Sequence, residues 1–255
     1  MQLSIKVAWI CHFSNKEVQD ILKPSRRINE MAPWIPALAE KFEEQKNIEL
    51  HIISPHEYII NYKYFIIRGI HYHFFNPHIP LWGRHWPGFF KFDFITNFFI
   101  NKLIVKRIIN RIRPDIINLH GAENAYYSST IFQFKNKFPI LITIQGFLFK
   151  ISADNNDFQT RKRINCEIDI YKNFIHFGIR TITMGNEIKQ LNFDASLHWH
   201  SYVVKISTPL EQINTSKRYD VVYFARISKS KGIEDLLHSI SMIKKTRNDI
   251  SVLII

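Results

Sequence analysis

Short apolar runs alternate along the chain with stretches whose apolar residues recur at helical spacing. Residues 3–11 read as a first buried strand, interrupted only by Lys6, and 33–45 as a helix with Trp34, Leu38 and Phe42 on one face. A second strand is predicted over 50–54. Residues 66–75 alternate in the manner of a third, and 92–112 form a long amphipathic helix. That helix ends at Arg113-Pro114, because proline biases the residue before it away from helix. Then follow strand 115–120, helix 122–136, strand 139–144, helix 161–177 and strand 179–184.

Strands that alternate with helices predict an α/β fold of parallel βαβ units, with strands 115–120 and 139–144 adjacent in one sheet. In such sheets ligands bind beyond the carboxyl ends of the strands. This draws attention to His12, Ser14, Ser54, His120, Gly121, Gln145, Gly146 and Gly185. The pattern pauses over 207–217, a polar stretch with Pro209, and then restarts. A strand is predicted over 220–225, a polar turn over 229–232, and a helix over 233–245 with Leu236, Leu237, Ile240 and Ile243 inward. A last strand begins at 251. The expected organisation is a Rossmann-like domain over 1–206, a linker over 207–217, and over 218–255 the truncated start of a second domain, since the sequence stops inside an apolar strand.

Composition narrows the class. Hydrophobic residues make up 46% of the 255, too many for a disordered chain. The net charge of +12 favours anionic partners: nucleic acid, anionic lipid or phosphorylated small molecules. Cys11 and Cys166 form no disulfide framework, which fits a reducing cytoplasm. No secretory leader is evident, and no apolar run approaches the roughly 20 residues needed to span a bilayer. The aromatic stretch over 58–99 suits base stacking, a membrane-interfacial patch, a groove for a lipid-linked acceptor, or simply core and surface loop. The twelve histidines show no metal-ligand spacing, and no metal site is expected from them.

Four segments carry the chemistry. The first runs from Tyr223 through Ala225-Arg226 to Lys231-Gly232-Ile233, followed by Leu236-Leu237. A strand-end Arg226 and a helix-start Lys231 would place two cations beside free backbone N–H groups, an arrangement suited to a diphosphate. The second, 113–124, is a Pro-Asp-led strand ending at His120, with Glu123 at the start of a helix. The third is Gln145-Gly146, where the glycine would allow a tight turn and the glutamine can hydrogen-bond but cannot act as a base. The fourth is Gly185-Asn186-Glu187, with Phe193 and Trp199 downstream. His120 and Glu123 also have a purely structural reading, as a satisfied core histidine and a helix cap.

Together these segments resemble family 4 glycosyltransferases, with Gln145-Gly146 closest to a bacterial surface-polysaccharide subgroup. The family usually has glycine before the arginine, where this chain has Ala225, and a glycine-rich first loop, where it has Cys11 to Lys16 with none. The resemblance implies a GT-B architecture of two Rossmann-like domains facing a cleft. It implies a retaining, metal-independent transfer from a nucleotide-sugar donor to a glycan or lipid-linked acceptor, with no further cofactor. It assigns His120 and Glu123 as catalytic and Arg226 and Lys231 to the donor diphosphate. Ser14, Gln145, Gly146, Asn186 and Glu187 would line the cleft. The donor-site glutamates of the family would lie beyond Ile255. The implied setting is cytoplasmic, peripheral on an anionic membrane face. The alternative is a non-catalytic remnant that binds acceptor or membrane only. A nucleic-acid role lacks any reading motif.

Overall fold

The computed structural model describes residues 4–28, 32–78, 92–151, 157–203, 218–225 and 227–255. The chain divides into two compact units, Met1–Lys205 and Ile206–Ile255. The expected linker at 207–217 lies outside the described residues.

The first unit is built on an eight-stranded sheet. Its strands are β1 (Ile5–Ile10), β2 (Ile48–Pro55), β3 (Lys63–Ile67), β4 (Ile70–Phe75), β5 (Ile116–His120), β6 (Ile140–Thr143), β7 (His176–Ile179) and β8 (Ser196–Trp199), in the order β3-β4-β2-β1-β5-β6-β7-β8. All neighbours pair parallel except β3, which runs antiparallel to β4. β5 and β6 are adjacent and parallel, with His120 opposite Thr143, as the sequence predicts. The Asp115 carboxylate accepts the Lys6 N–H at 2.7 Å, which fixes the register of β5 on β1.

Alternate strand residues divide between two cores. Leu50 and Ile52 pack with Trp34 and Ile35 of α2 (Trp34–Glu43), and with Val18 and Leu22 of α1 (Lys16–Leu22). Ile53 packs instead with Val105, Ile108 and Ile109 of α4 (Phe99–Ile112). A sheet buried on both faces needs near-continuous apolar strands, which explains why the sequence shows runs here instead of clean alternation.

Several predicted boundaries are corrected. Residues 66–75 are two strands, not one: Arg68 and Gly69 lie at φ 46° and 82°, the left-handed pair a two-residue hairpin requires. The alternation hid the turn because it continues through both arms. The helix predicted over 92–112 is broken at Asn97 and Phe98, both at positive φ, into α3 (Phe92–Ile95) and α4. The break lets Phe94 and Phe98 pack together on Ala125. Helix 122–136 is a short α5 (Ala125–Ser128) continued by a 3-10 turn, Ser129–Phe134. After the one-turn α6 (Leu148–Ile151), α7 spans Phe158–Asn173; Asp157 caps it, accepting from the N–H groups of Gln159 and Thr160. Phe177 therefore belongs to β7 rather than to the preceding helix. β7 stops at Ile179, Thr181 caps α8 (Ile182–Leu191), and Gly185 lies in that helix, not after a strand. A Cβ on Gly185 would meet Leu197 at 3.0 Å and Ile179 at 3.1 Å, so this glycine serves close helix–sheet packing. The sequence reading missed β8, a strand of four residues.

In the second unit, β9 (Val221–Tyr223) and β10 (Val252–Ile254) pair parallel across α9 (Ile233–Ile243). Asp220 ties them, accepting from the N–H and hydroxyl of Ser251 and from Arg247. The inward set of α9 is only partly covered: Leu236 and Ile240 are half-buried, whereas Leu237 and Ile243 are 52% and 40% exposed. Among the described residues, no helix is long and apolar enough to cross a membrane.

Gly69→Ala tests the hairpin assignment. Nothing lies within 4 Å of the position a Cβ would take, so the cost is that of the left-handed backbone alone. We expect a loss of about 1 kcal/mol by chemical denaturation, and a smaller loss for Gly69→Asn, because asparagine tolerates this conformation better.

Candidate functional site

The carboxyl ends of the parallel strands bring a set of polar side chains to one edge of the sheet. At the end of β5, the His120 ring lies edge-on to Trp9 at 4.7 Å and tilted to Trp34 at 5.4 Å. The Thr143 hydroxyl donates to Asn118 Oδ1, and Asn118 Nδ2 in turn donates to His120 Nε2 at 3.1 Å. With Nε2 accepting, the imidazole carries its proton on Nδ1, and that atom is buried without a partner. Burial, with His200 nearby, holds the His120 pKa down at about 3, so the ring is neutral at physiological pH. His120 is thus a core ring with one unused donor.

Gly121 follows at φ 84°, and a Cβ there would fall 2.6 Å from the Glu123 carboxylate. Only glycine lets the Glu123 carboxyl fold back over the chain at this point. Glu123 is not the cap of α5; that role belongs to Asn124, whose side chain accepts from the Tyr126 N–H. The Glu123 side chain instead turns inward, with Oε2 buried and unpartnered. Burial raises its pKa to about 7, while Arg163 is engaged with the Glu123 backbone carbonyl. A carboxyl near half-protonation at neutral pH can both give and take a proton.

After β7, Arg180 donates to the Gln145 carbonyl at 2.9 Å, and its guanidinium lies 3.8 Å over the Tyr202 ring. Tyr202 stacks on Trp34 at 4.2 Å. Arg180 Nε and His200 Nε2 are buried without partners, as is His12 Nδ1 beyond β1. Five of the seven such side-chain atoms among the described residues (His12, His120, Glu123, Arg180 and His200) therefore lie at strand carboxyl ends. Buried polar groups are normally paired, so this concentration makes the strand carboxyl ends the candidate site.

The other predicted residues are placed as follows. Ser14 is buried, donating to the Ile28 carbonyl and accepting from Gln19, so its hydroxyl holds the loop after β1. Gln145 is half-buried beside Arg180. Gly146 is not at positive φ, which corrects the tight-turn argument. A Cβ there would meet nothing within 4 Å, so open space lies beside it. The loop that carries it is pinned by Glu167, fully buried, which accepts the N–H groups of Leu148 and Phe149 at 2.9 Å each. Glu187 pairs with Lys150 from α8, and Asn186 is exposed on the same helix. In the second unit, Lys231 is exposed in the 3-10 turn Lys229–Lys231 before Gly232, which lies at φ 77°. Arg226 lies outside the described residues. Arg180, His200, Tyr202 and Glu167 escaped the sequence reading. Arg180 and His200 directly follow β7 and β8, and the misplaced end of the one and the omission of the other concealed them.

No family model and no curated protein matches the chain. Among solved structures it is similar to a sucrose-phosphate synthase from Thermosynechococcus elongatus, with 11% identity and a TM-score of 0.56 over 98% of this chain. It is also similar to a UDP-GlcNAc 2-epimerase from Methanocaldococcus jannaschii, with 12% identity and a TM-score of 0.47 over 98% of this chain. The chain spans 61% and 65% of the length of these two proteins. The first likeness, with the parallel eight-stranded sheet, places the fold in the GT-B-like, Rossmann-like α/β class.

Burial of the Glu123 carboxyl couples its proton to folding. The folded state binds the proton more tightly than the unfolded chain, so this group's contribution to stability is fully present below about pH 4.5 and is lost as pH rises through about 7. The loss is of order 3 kcal/mol. Glu123→Gln removes it. We expect the variant to gain stability relative to the parent between pH 4.5 and pH 8, by roughly that amount, in urea titrations at the two pH values. A constant difference between the two proteins across this range would show that the carboxyl is solvated.

Proposed function

We propose that the chain is a glycosyltransferase of the GT-B type. It transfers a sugar from a nucleotide-sugar donor to a glycan or lipid-linked acceptor, with retention of configuration and without a metal ion in the transfer step. The observation that carries this reading is the set of unpartnered polar atoms at the strand carboxyl ends, where sheets of this kind bind ligands. The likeness in fold to an enzyme named for making sucrose phosphate supports it. So does the Ala225-to-Gly232 segment, which resembles the donor-phosphate strand of family 4.

In this reading His120 Nδ1–H donates to a sugar hydroxyl, Gln145 and Arg180 supply further hydrogen bonds, and Glu123 accepts the proton that the acceptor hydroxyl loses. Arg226 and Lys231 bind the diphosphate and stabilise the charge it gains on leaving. Lys231 is exposed, and Gly232 at positive φ starts the helix whose N–H groups face the same end. A bacterial cell-surface polysaccharide is the product class we assign, made at the cytoplasmic membrane face. The net charge of +12 supports a peripheral electrostatic tether there, since a basic residue near an anionic leaflet gains about 1 kcal/mol.

The decisive test is nucleoside-diphosphate binding. Losing one charge-assisted contact costs roughly 1.5–3 kcal/mol, about ten- to a hundredfold in affinity. In a protein that carries a complete second domain, Arg226→Ala and Lys231→Ala should each weaken UDP or GDP binding by that factor in calorimetric titration, with the melting temperature nearly unchanged. If both variants bind as tightly as the parent, the diphosphate assignment fails.

A further inference from the structure

A second polar cluster lies at the opposite end of the sheet, near the amino ends of β2 and β4. On one face of β2, the residues run from Ile53, packed in the core, to His51 and Glu49. On β4 the same face runs from Phe75 to His73 and His71. His51 and His71 are direct cross-strand partners, and their rings stack at 4.4 Å between centroids. Glu49 Oε1 is 2.8 Å from His51 Nε2. One ligand atom each from Glu49, His51 and His71 lies within 4.8 Å of the other two. Glu49 and His51 alternate on one strand and His71 and His73 on another, and parallel pairing in register converts this into a cluster.

We propose that Glu49, His51 and His71 form a site for one divalent transition-metal ion of the zinc class, clipping β2 to β4. Two imidazoles and a carboxylate are the donor set such ions take, and three protein ligands leave a fourth position for water. The surrounding hydrogen bonds supply the orientation that ligating histidines require. The Tyr64 hydroxyl is 2.9 Å from His71 Nδ1, which leaves Nε2 as the ligand atom. His51 Nδ1 is 3.1 Å from His73 Nε2, and His73 Nδ1 is 2.7 Å from the Tyr62 hydroxyl. This chain can run in either direction. With no ion, Tyr62 donates to His73, His73 to His51, and His51 Nε2–H to Glu49. With an ion on His51 Nε2, His51 Nδ1–H donates to His73, and His73 Nδ1–H donates to the Tyr62 oxygen. Each imidazole stays neutral, and no buried nitrogen loses its partner.

Lys6 is the one competing cation beside Glu49 among the described ion pairs, at 3.7 Å, and its side chain is 41% exposed, free to swing into water. Glu49 and His51 stand four to six residues from the carboxyl end of β2, roughly 13–20 Å along the strand, so this site is separate from the ligand edge and independent of the transfer reaction.

The test is zinc titration of the 255-residue chain by calorimetry, after chelator treatment, with thermal melts at saturating zinc. We expect one ion per chain and a raised melting temperature. His71→Ala, at a half-exposed position, should abolish both effects while the metal-free melting temperature changes little. Tyr64→Phe removes a second-layer hydroxyl from an exposed ring and should weaken binding about tenfold. Zinc binding of undiminished affinity in both His71→Ala and Glu49→Gln would place the ion elsewhere and overturn the proposal. Absence of saturable binding to the parent chain would overturn it as well.

Discussion

Parallel pairing is the constraint from which the rest of this molecule follows. A strand that re-enters a sheet in the same direction as its neighbour must be preceded by a crossover, and crossovers cover the faces of the sheet with helices. Six such pairings in the first unit bury strands such as β1, β5 and β6 on both faces, which demands runs like Ala8-Trp9-Ile10. They also align all the carboxyl ends on one edge and all the amino ends on the other. Polar side chains cluster towards both edges. The candidate ligand site and the proposed metal clip are the two results.

The carboxyl edge carries an energetic burden. An unpaired buried polar atom costs about 1–3 kcal/mol, and five of them lie along this edge. The surrounding structure is stiff enough to hold them in place. Glu167 ties down two backbone N–H groups, Asn118 and Thr143 orient the His120 ring, and Trp34 and Tyr202 stack beneath Arg180. A ligand with several hydroxyls would satisfy groups that the protein leaves unsatisfied, which is the expected economy of a preorganised site. The second unit repeats the parallel strand–helix–strand unit on a smaller scale, with Asp220 as its polar anchor.

The sequence by itself determined the alternation of strands and helices, the parallel class, the positions of β1, β2, β5 and β6, and the end of β5 at His120. These features rest on local information: apolar run length, helical spacing and the stop imposed by Arg113-Pro114. Only the tertiary structure decided the rest. The turn at Arg68-Gly69 and the break at Asn97-Phe98 depend on what each segment packs against, because their patterns read equally well as one continuous element. The inward fold of Glu123 over Gly121, and its raised pKa, needs burial by residues distant in sequence. His51 and His71 meet because strand pairing brings together residues that are twenty positions apart, and periodicity within a single strand carries no record of which residue will stand opposite.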